Sequence, residues 1–194
     1  MEKEYKYKAT GLIAKAFDEA KIKFRVETFL DNEEIQAKFG VDCGPNVAVS
    51  FISRDNDNDV AMRVFSLISN IPLEKRTRVI EACNSLNEKV RTIKFVIDTD
   101  NNVNVEYDFP QKLSDDCLGD VAIEMFVRTM HILDNEYSMF VKALFTEDDL
   151  EKENRIAKAE LLMKILESID EEDLQDDTDN DEYDCEVDEI NYDE

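Results

Sequence analysis

The sequence predicts an α+β domain, with helices segregated around one antiparallel sheet. Two observations carry that expectation. Short runs in which apolar and polar residues alternate follow one another closely, with turn residues between them, which is the spacing of an antiparallel meander. Stretches with apolar residues three and four apart lie before, between and after these runs. The predicted order is helix, three or four strands, helix, two strands, long helix.

Ala9, Leu12, Ile13, Ala16, Phe17 and Ala20 recur at helical spacing and open the domain with an amphipathic helix. Ile22, Phe24 and Val26 then alternate with Lys23, Arg25 and Glu27. Ile35, Ala37, Phe39 and Val41 do so after the turn-like Asp31-Asn32, and Val47, Val49 and Phe51 after Cys43-Gly44-Pro45-Asn46. RDNDND, from Arg54, is a loop tip, and Val60, Met62 and Val64 suggest a further strand. Pro72 fits the first turn of a second helix, whose apolar positions are Val79, Cys83, Leu86 and Val90. IKFVID and VNVEYDF are strands joined by the polar turn Thr99 to Asn102. A long helix begins near Ser114 with a cap region Ser-Asp-Asp-Cys. Its stripe of Val121, Met125, Phe126, Thr129, Leu133, Tyr137, Phe140, Val141 and Leu144 must be buried.

After Phe145 the pattern changes. Thr146 and Asp149 have the spacing of a capping box, and Leu150, Ala157, Leu161, Leu162, Ile165 and Ile169 give the next helix one apolar side. Residues 167–194 hold 16 Asp and Glu and no Lys or Arg. Of the chain's net charge of -24, only -8 therefore falls on residues 1–166. The expected organisation is an α+β domain over 1–146, an amphipathic helix over 147–169 and a disordered acidic tail over 170–194.

At 194 residues and 43% apolar content, one domain with a sizeable core fits the length. Cys43, Cys83, Cys117 and Cys185 lie far apart, which reads as reduced thiols rather than a metal site or disulfide scaffold. MEKEYKYKAT is too charged for a signal peptide, and no run approaches the ~18 apolar residues of a membrane span. The expectation is a soluble cytoplasmic protein.

No catalytic constellation emerges. His131, the only histidine, lies inside the long helix beside its apolar stripe, without a nucleophile or orienting partner. Asp98, Asp100 and Asn102 match the first, third and fifth positions of a calcium loop, but Val103 stands where glycine is needed and Phe109 where glutamate is needed. Asp177, Asp179 and Asp181 fail in the same way at Glu182. Only four glycines are present, and no phosphate-cradling loop. The acidic balance argues against direct nucleic-acid contact. Asn84 and Asn87 are unusual inside a helix. The favoured of three readings is that spacing of three points both amides toward adjacent strands or a loop, where they would bond open backbone groups. The others are an exposed surface position and a catalytic amide, which would need neighbours the sequence does not supply.

The block from Ile71, IPLEKRTRVIEACNSLNEKVRTIKFVIDTDNNVNVEY, resembles the central signature of the YbjN-like family of bacterial sensory transduction regulators. That signature is a helix ending in Asn-x-x-Asn, a strand, an acidic turn and a second strand. Asn84 and Asn87 match the paired asparagines, Asp98 to Asn102 match the turn, and LGDVAIEMFVRTMHILDNEYSMFVKALF resembles the family's last helix, with its aromatic at Tyr137. The likeness covers residues 8–146 in order of elements and Ile71 to Phe145 in recognisable residues. The family's turn commonly carries glycine, where this chain has Asn101-Asn102. The resemblance implies a type III secretion chaperone-like fold that dimerises, without catalytic residues or cofactor. The functional expectation is a non-enzymatic, chaperone-like or regulatory module that binds a partner protein segment. The alternative is an acidic decoy or nucleic-acid mimic that acts through the tail on a basic partner. No membrane partner is expected.

Overall fold

The alternating runs become strands because each puts its β-branched and aromatic side chains on one pleated face, ready to be covered by helices. The computed structural model describes residues 4–42, 44–55, 59–110, 113–146, 151 and 155–163. The chain divides into two units, Met1–Thr146 and Glu147–Glu194. In the first, helix α1 (Lys8–Glu19) is followed by strands β1 (Phe24–Thr28), β2 (Glu33–Gly40), β3 (Asn46–Ser53) and β4 (Val60–Ile68). A 3-10 turn (Leu73–Lys75) leads into α2 (Arg76–Lys89), and β5 (Lys94–Ile97), β6 (Val103–Asp108) and α3 (Asp115–Leu144) complete the unit.

All strand pairs are antiparallel, in the order β1-β2-β3-β4-β6-β5. The α+β class and the element order expected from the sequence are present, with four strands before α2. The non-sequential step arises because α2 carries the chain past the sheet, so that β5 and β6 return as a hairpin whose second strand docks on β4.

Register sorts the faces. Val26, Ile35, Phe51, Met62 and Tyr107 form one row across the sheet on the helix-covered face. The adjacent row, Arg25, Gln36, Ser50, Arg63, Glu106 and Lys94, crosses all six strands on the other face and is polar throughout. The core lies between the first face and the helices. Phe17 of α1 is its hub, edge-on to Phe51 at 5.3 Å and Phe24 at 5.9 Å and tilted against Phe126 of α3 at 5.9 Å. At the other end Phe95 of β5 meets Phe140 of α3 at 5.5 Å. Helices α1 and α3 cross closely at Gly119, where an added Cβ would stand 2.6 Å from the Ala16 Cβ.

Several local expectations change. Pro72 precedes the 3-10 turn rather than lying in α2 itself, its ψ of 140° keeping it extended. Ser114 is the N-cap residue of α3, but its side chain makes no capping bond; its carbonyl accepts the N–H groups of Cys117 and Leu118. The stripe of α3 is buried at Met125, Phe126, Thr129, Leu133 and Phe140, while Val141 is 40% exposed. In β4 the alternation breaks after Val64: Ser66 takes a left-handed φ of 51° and the register with β6 shifts before Ile68.

In the second unit, residues 155–163 are helical, with Arg155 paired to Glu151. Leu161 and Leu162, expected on one apolar side of this helix, are exposed, together with Ile156 and Met163. The expectations for Cys43, Asp149, Leu150, Ile165, Ile169, Cys185 and the tail over 170–194, including Asp177, Asp179 and Asp181, fall on residues outside the described ones.

Candidate functional site

A six-stranded open sheet has two edges, and here they are treated differently. At the β5 edge the Asn87 side chain lies along the strand. Its Nδ2 donates to the Phe95 carbonyl at 2.9 Å, and its Oδ1 accepts the Phe95 N–H at 2.8 Å. One amide thus stands in for a neighbouring strand, occupying the backbone groups of Phe95 that β6 does not use. Lys94 Nζ adds a bond to the Asn87 carbonyl at 3.2 Å, placing a cation at the C-terminus of α2.

Asn84 does not share this role. It is exposed on α2 and has no hydrogen bond among the described residues, so the expectation that both amides reach the strand is corrected for it. The buried residues of α2 are Val79, Ala82, Cys83 and Leu86. At 3.6 residues per turn, Asn87 flanks that stripe, and Asn84 falls roughly 60° further round, toward solvent.

The turn from Asp98 to Asn102 is a second tie. Asp98 Oδ1 accepts the N–H groups of Asn102 at 2.8 Å and Asp100 at 2.9 Å, and its Oδ2 accepts Nδ2 of Asn104 at 3.1 Å. Those bonds, led by the Asn102 amide, hold its carboxyl below the usual aspartate range. Asn101 takes the left-handed φ of 59° that glycine would otherwise supply. Its carbonyl accepts Ile71 N–H at 2.9 Å and its Oδ1 accepts Arg76 Nε at 2.9 Å. Asn102 and Asn104 accept the N–H groups of Asn70 and Ser66. Of the residues that resemble a calcium loop, Asp98 and Asn102 therefore direct their oxygens at protein donors, while Asn104 holds the β4 bulge and Asn101 the entry to α2.

At the other edge, the Phe29 N–H donates to the Asn32 carbonyl at 2.9 Å and closes the β1–β2 hairpin. Counting back from that bonded pair, antiparallel alternation directs the N–H and C=O groups of Phe24, Val26 and Thr28 outward. No side chain among the described residues bonds them. Glu33, 2% exposed, anchors this end. Its carboxylate accepts the Lys6 N–H at 3.0 Å, the Tyr7 N–H at 3.2 Å and the Thr28 hydroxyl at 3.0 Å. Burial pushes its carboxyl up, and these donors more than offset it, leaving it below the usual glutamate range.

His131 is exposed on α3. Cys83 is buried, which pushes its thiol up to about 11, and Cys117 is exposed. Among the described residues no three His, Cys, Asp or Glu side chains gather as a metal would need, and no helix is long and apolar enough to cross a membrane.

The β5 edge was partly legible in sequence, because an amide beside a helix stripe needs a partner. The β1 edge was not, because an absence of bonds leaves no residue signature. No curated protein matches the chain. The model of the family YbjN, described as "Putative bacterial sensory transduction regulator", matches residues 13–136, from the core of α1 through both edges and into α3. The chain belongs to the YbjN family.

Proposed function

We propose that this chain is a non-enzymatic, cytoplasmic regulator that binds a partner protein, holding an extended segment of it by strand addition at the β1 edge. The observation that carries the reading is the asymmetry of the sheet: Asn87 occupies the outward groups of Phe95, while those of Phe24, Val26 and Thr28 face outward. In strand addition backbone bonds give affinity and side-chain pockets give selection. The reading takes 1–146 as the chaperone-like binding domain, with 147–169 as a helical extension and 170–194 as an acidic tail. Neither Asn84 nor Asn87 is catalytic in it. A homodimer belongs to the same reading, since exposed Leu161, Leu162 and Met163 are apolar surface that a second copy can cover.

The test is partner capture from native lysate with wild type, with Val26→Pro and with a chain ending at Leu166. Proline removes an outward N–H without breaking the β1–β2 ladder. Loss of partners on Val26→Pro, with thermal unfolding unchanged, is the expected result, and retention would overturn strand addition. The 16 acids of residues 167–194 favour a second reading, a decoy for a basic protein. That reading expects the loss on truncation instead.

A further inference from the structure

The N-terminal end of the β1 edge, at Lys21, Lys23 and Arg25, carries charge opposite in sign to the chain. We propose that the segment it takes is acidic: an extended stretch of a partner protein in which Asp or Glu alternates with apolar residues. This rests on the strand-addition reading and adds the chemistry of the segment.

A groove of about 410 Å³ beside β1 is lined, among the described residues, by Lys23, Phe24, Arg25, Gln36 and Lys38, three cations and no acid, in a chain of net charge -24. Arg25 is engaged by Glu27 at 3.1 Å and by Gln36. Lys23 and Lys38, and Lys21 just beyond them, form no ion pair among the described residues. The acids near it are already engaged, Glu27 by Arg25 and Glu34 by Gln36 at 2.7 Å, and Asp18 lies in an adjoining groove that Lys21 and Lys23 also line. Continuing the register of Phe24 with Ala37 by one residue sets Lys23 opposite Lys38. Like charges in that position repel, and a carboxylate laid beside them turns the repulsion into attraction.

The pleat supplies the alternation. Successive side chains of an added strand point to opposite faces. One set runs beside Lys23 and Arg25 on the polar face. The other runs beside Phe24 and Val26, which are half-buried on the helix side, where the Phe24 ring meets Phe17. Acid on one side and apolar on the other satisfies both. A nucleic acid could meet the cations, but it has no alternating N–H and C=O groups at strand spacing to pair with Phe24, Val26 and Thr28.

The test uses the full chain and labelled synthetic peptides that alternate valine with glutamate, glutamine or lysine, read by fluorescence anisotropy. The glutamate peptide is expected to bind about tenfold or more tightly than the glutamine peptide, and the difference should shrink as salt is added. Lys23→Glu combined with Lys38→Glu should invert the preference toward the lysine peptide. Both residues are exposed, and thermal unfolding checks that the fold survives. Equal binding of the glutamate and glutamine peptides, lost in both cases on Val26→Pro, would overturn the acidic preference while leaving strand addition standing. Failure of every peptide to bind, or binding indifferent to Val26→Pro, would overturn strand addition itself. Tighter binding of a single-stranded DNA oligonucleotide than of any peptide would replace the partner class.

Discussion

The β5 end and the β1 end of the sheet solve one problem in opposite ways. Unpaired strand edges invite other chains, and proteins usually blunt them. At β5 the blunting is local, because one side chain from the preceding helix fills the backbone sites of Phe95. At β1 no side chain among the described residues does this. The strand is held in place by its partner β2, by the aromatic contacts of Phe24 beneath it and by the buried Glu33 at its base. The difference teaches that order and closure are separable. An edge can be rigidly placed and still present free backbone groups.

If that view of β1 is correct, the largest effect comes from removing what holds it. Phe17 is fully buried and touches rings on β1, β3 and α3. Phe17→Ala should cost about 3–5 kcal/mol in chemical denaturation. It should also speed amide exchange in β1 before β5, since Phe95 packs on Phe140 instead. Uniform acceleration at both ends would mean that the two edges share a single support.

Glu33 comes next, because it is the polar anchor of the β1 end. Glu33→Ala strips charge-assisted bonds from Lys6, Tyr7 and Thr28, an expected loss of about 1.5–3 kcal/mol. The pH dependence follows from the lowered carboxyl. The stabilisation is complete above the ordinary glutamate value of about 4.3 and is lost as pH falls through the lower folded value. In acid titrations followed by circular dichroism, Glu33→Gln should therefore show a shallower loss of stability below about pH 4.3 than wild type.

The elements legible in the sequence were those whose signal is local. Strands β2 and β6 read clearly because each buries one face only, and Asn101 could be recognised as a turn residue because few other side chains accept a positive φ. The placement of β6 against β4 was not legible, since it depends on where α2 carries the chain. Ser66 escaped for a related reason: its left-handed φ answers to Asn104 on another strand. Glu33 escaped too, because a charged residue in an alternating run reads as solvent-facing until the chain entering α1 is seen to donate to it.

Asn87 then tests closure at the other end. Asn87→Ala removes two hydrogen bonds whose partners can recover water at an edge, so the expected cost is about 1–2 kcal/mol. Amide exchange at Phe95 should accelerate while that at Val105, inside the sheet, does not. An opened β5 edge should also make the variant bind strand-forming peptides that Val26→Pro cannot suppress. Unchanged exchange at Phe95 would mean that the amide is not what protects it.

The smallest effect is the most informative about the asparagine pair. Sequence spacing treats Asn84 and Asn87 alike, and if both tied helix to sheet, replacing Asn84 with leucine would cost about 1–3 kcal/mol through unpaired backbone groups. The exposed position of Asn84 removes that cost. Asn84→Ala and Asn84→Leu should each lie within about 0.5 kcal/mol of wild type, with a slight gain from better helix propensity. Denaturation midpoints of the two variants beside Asn87→Ala decide the matter. A loss at Asn84 as large as at Asn87 would restore a paired structural role. A neutral Asn84 beside a costly Asn87 assigns edge closure to one residue and leaves the other free on the surface of α2, where a requirement for it would have to come from a partner.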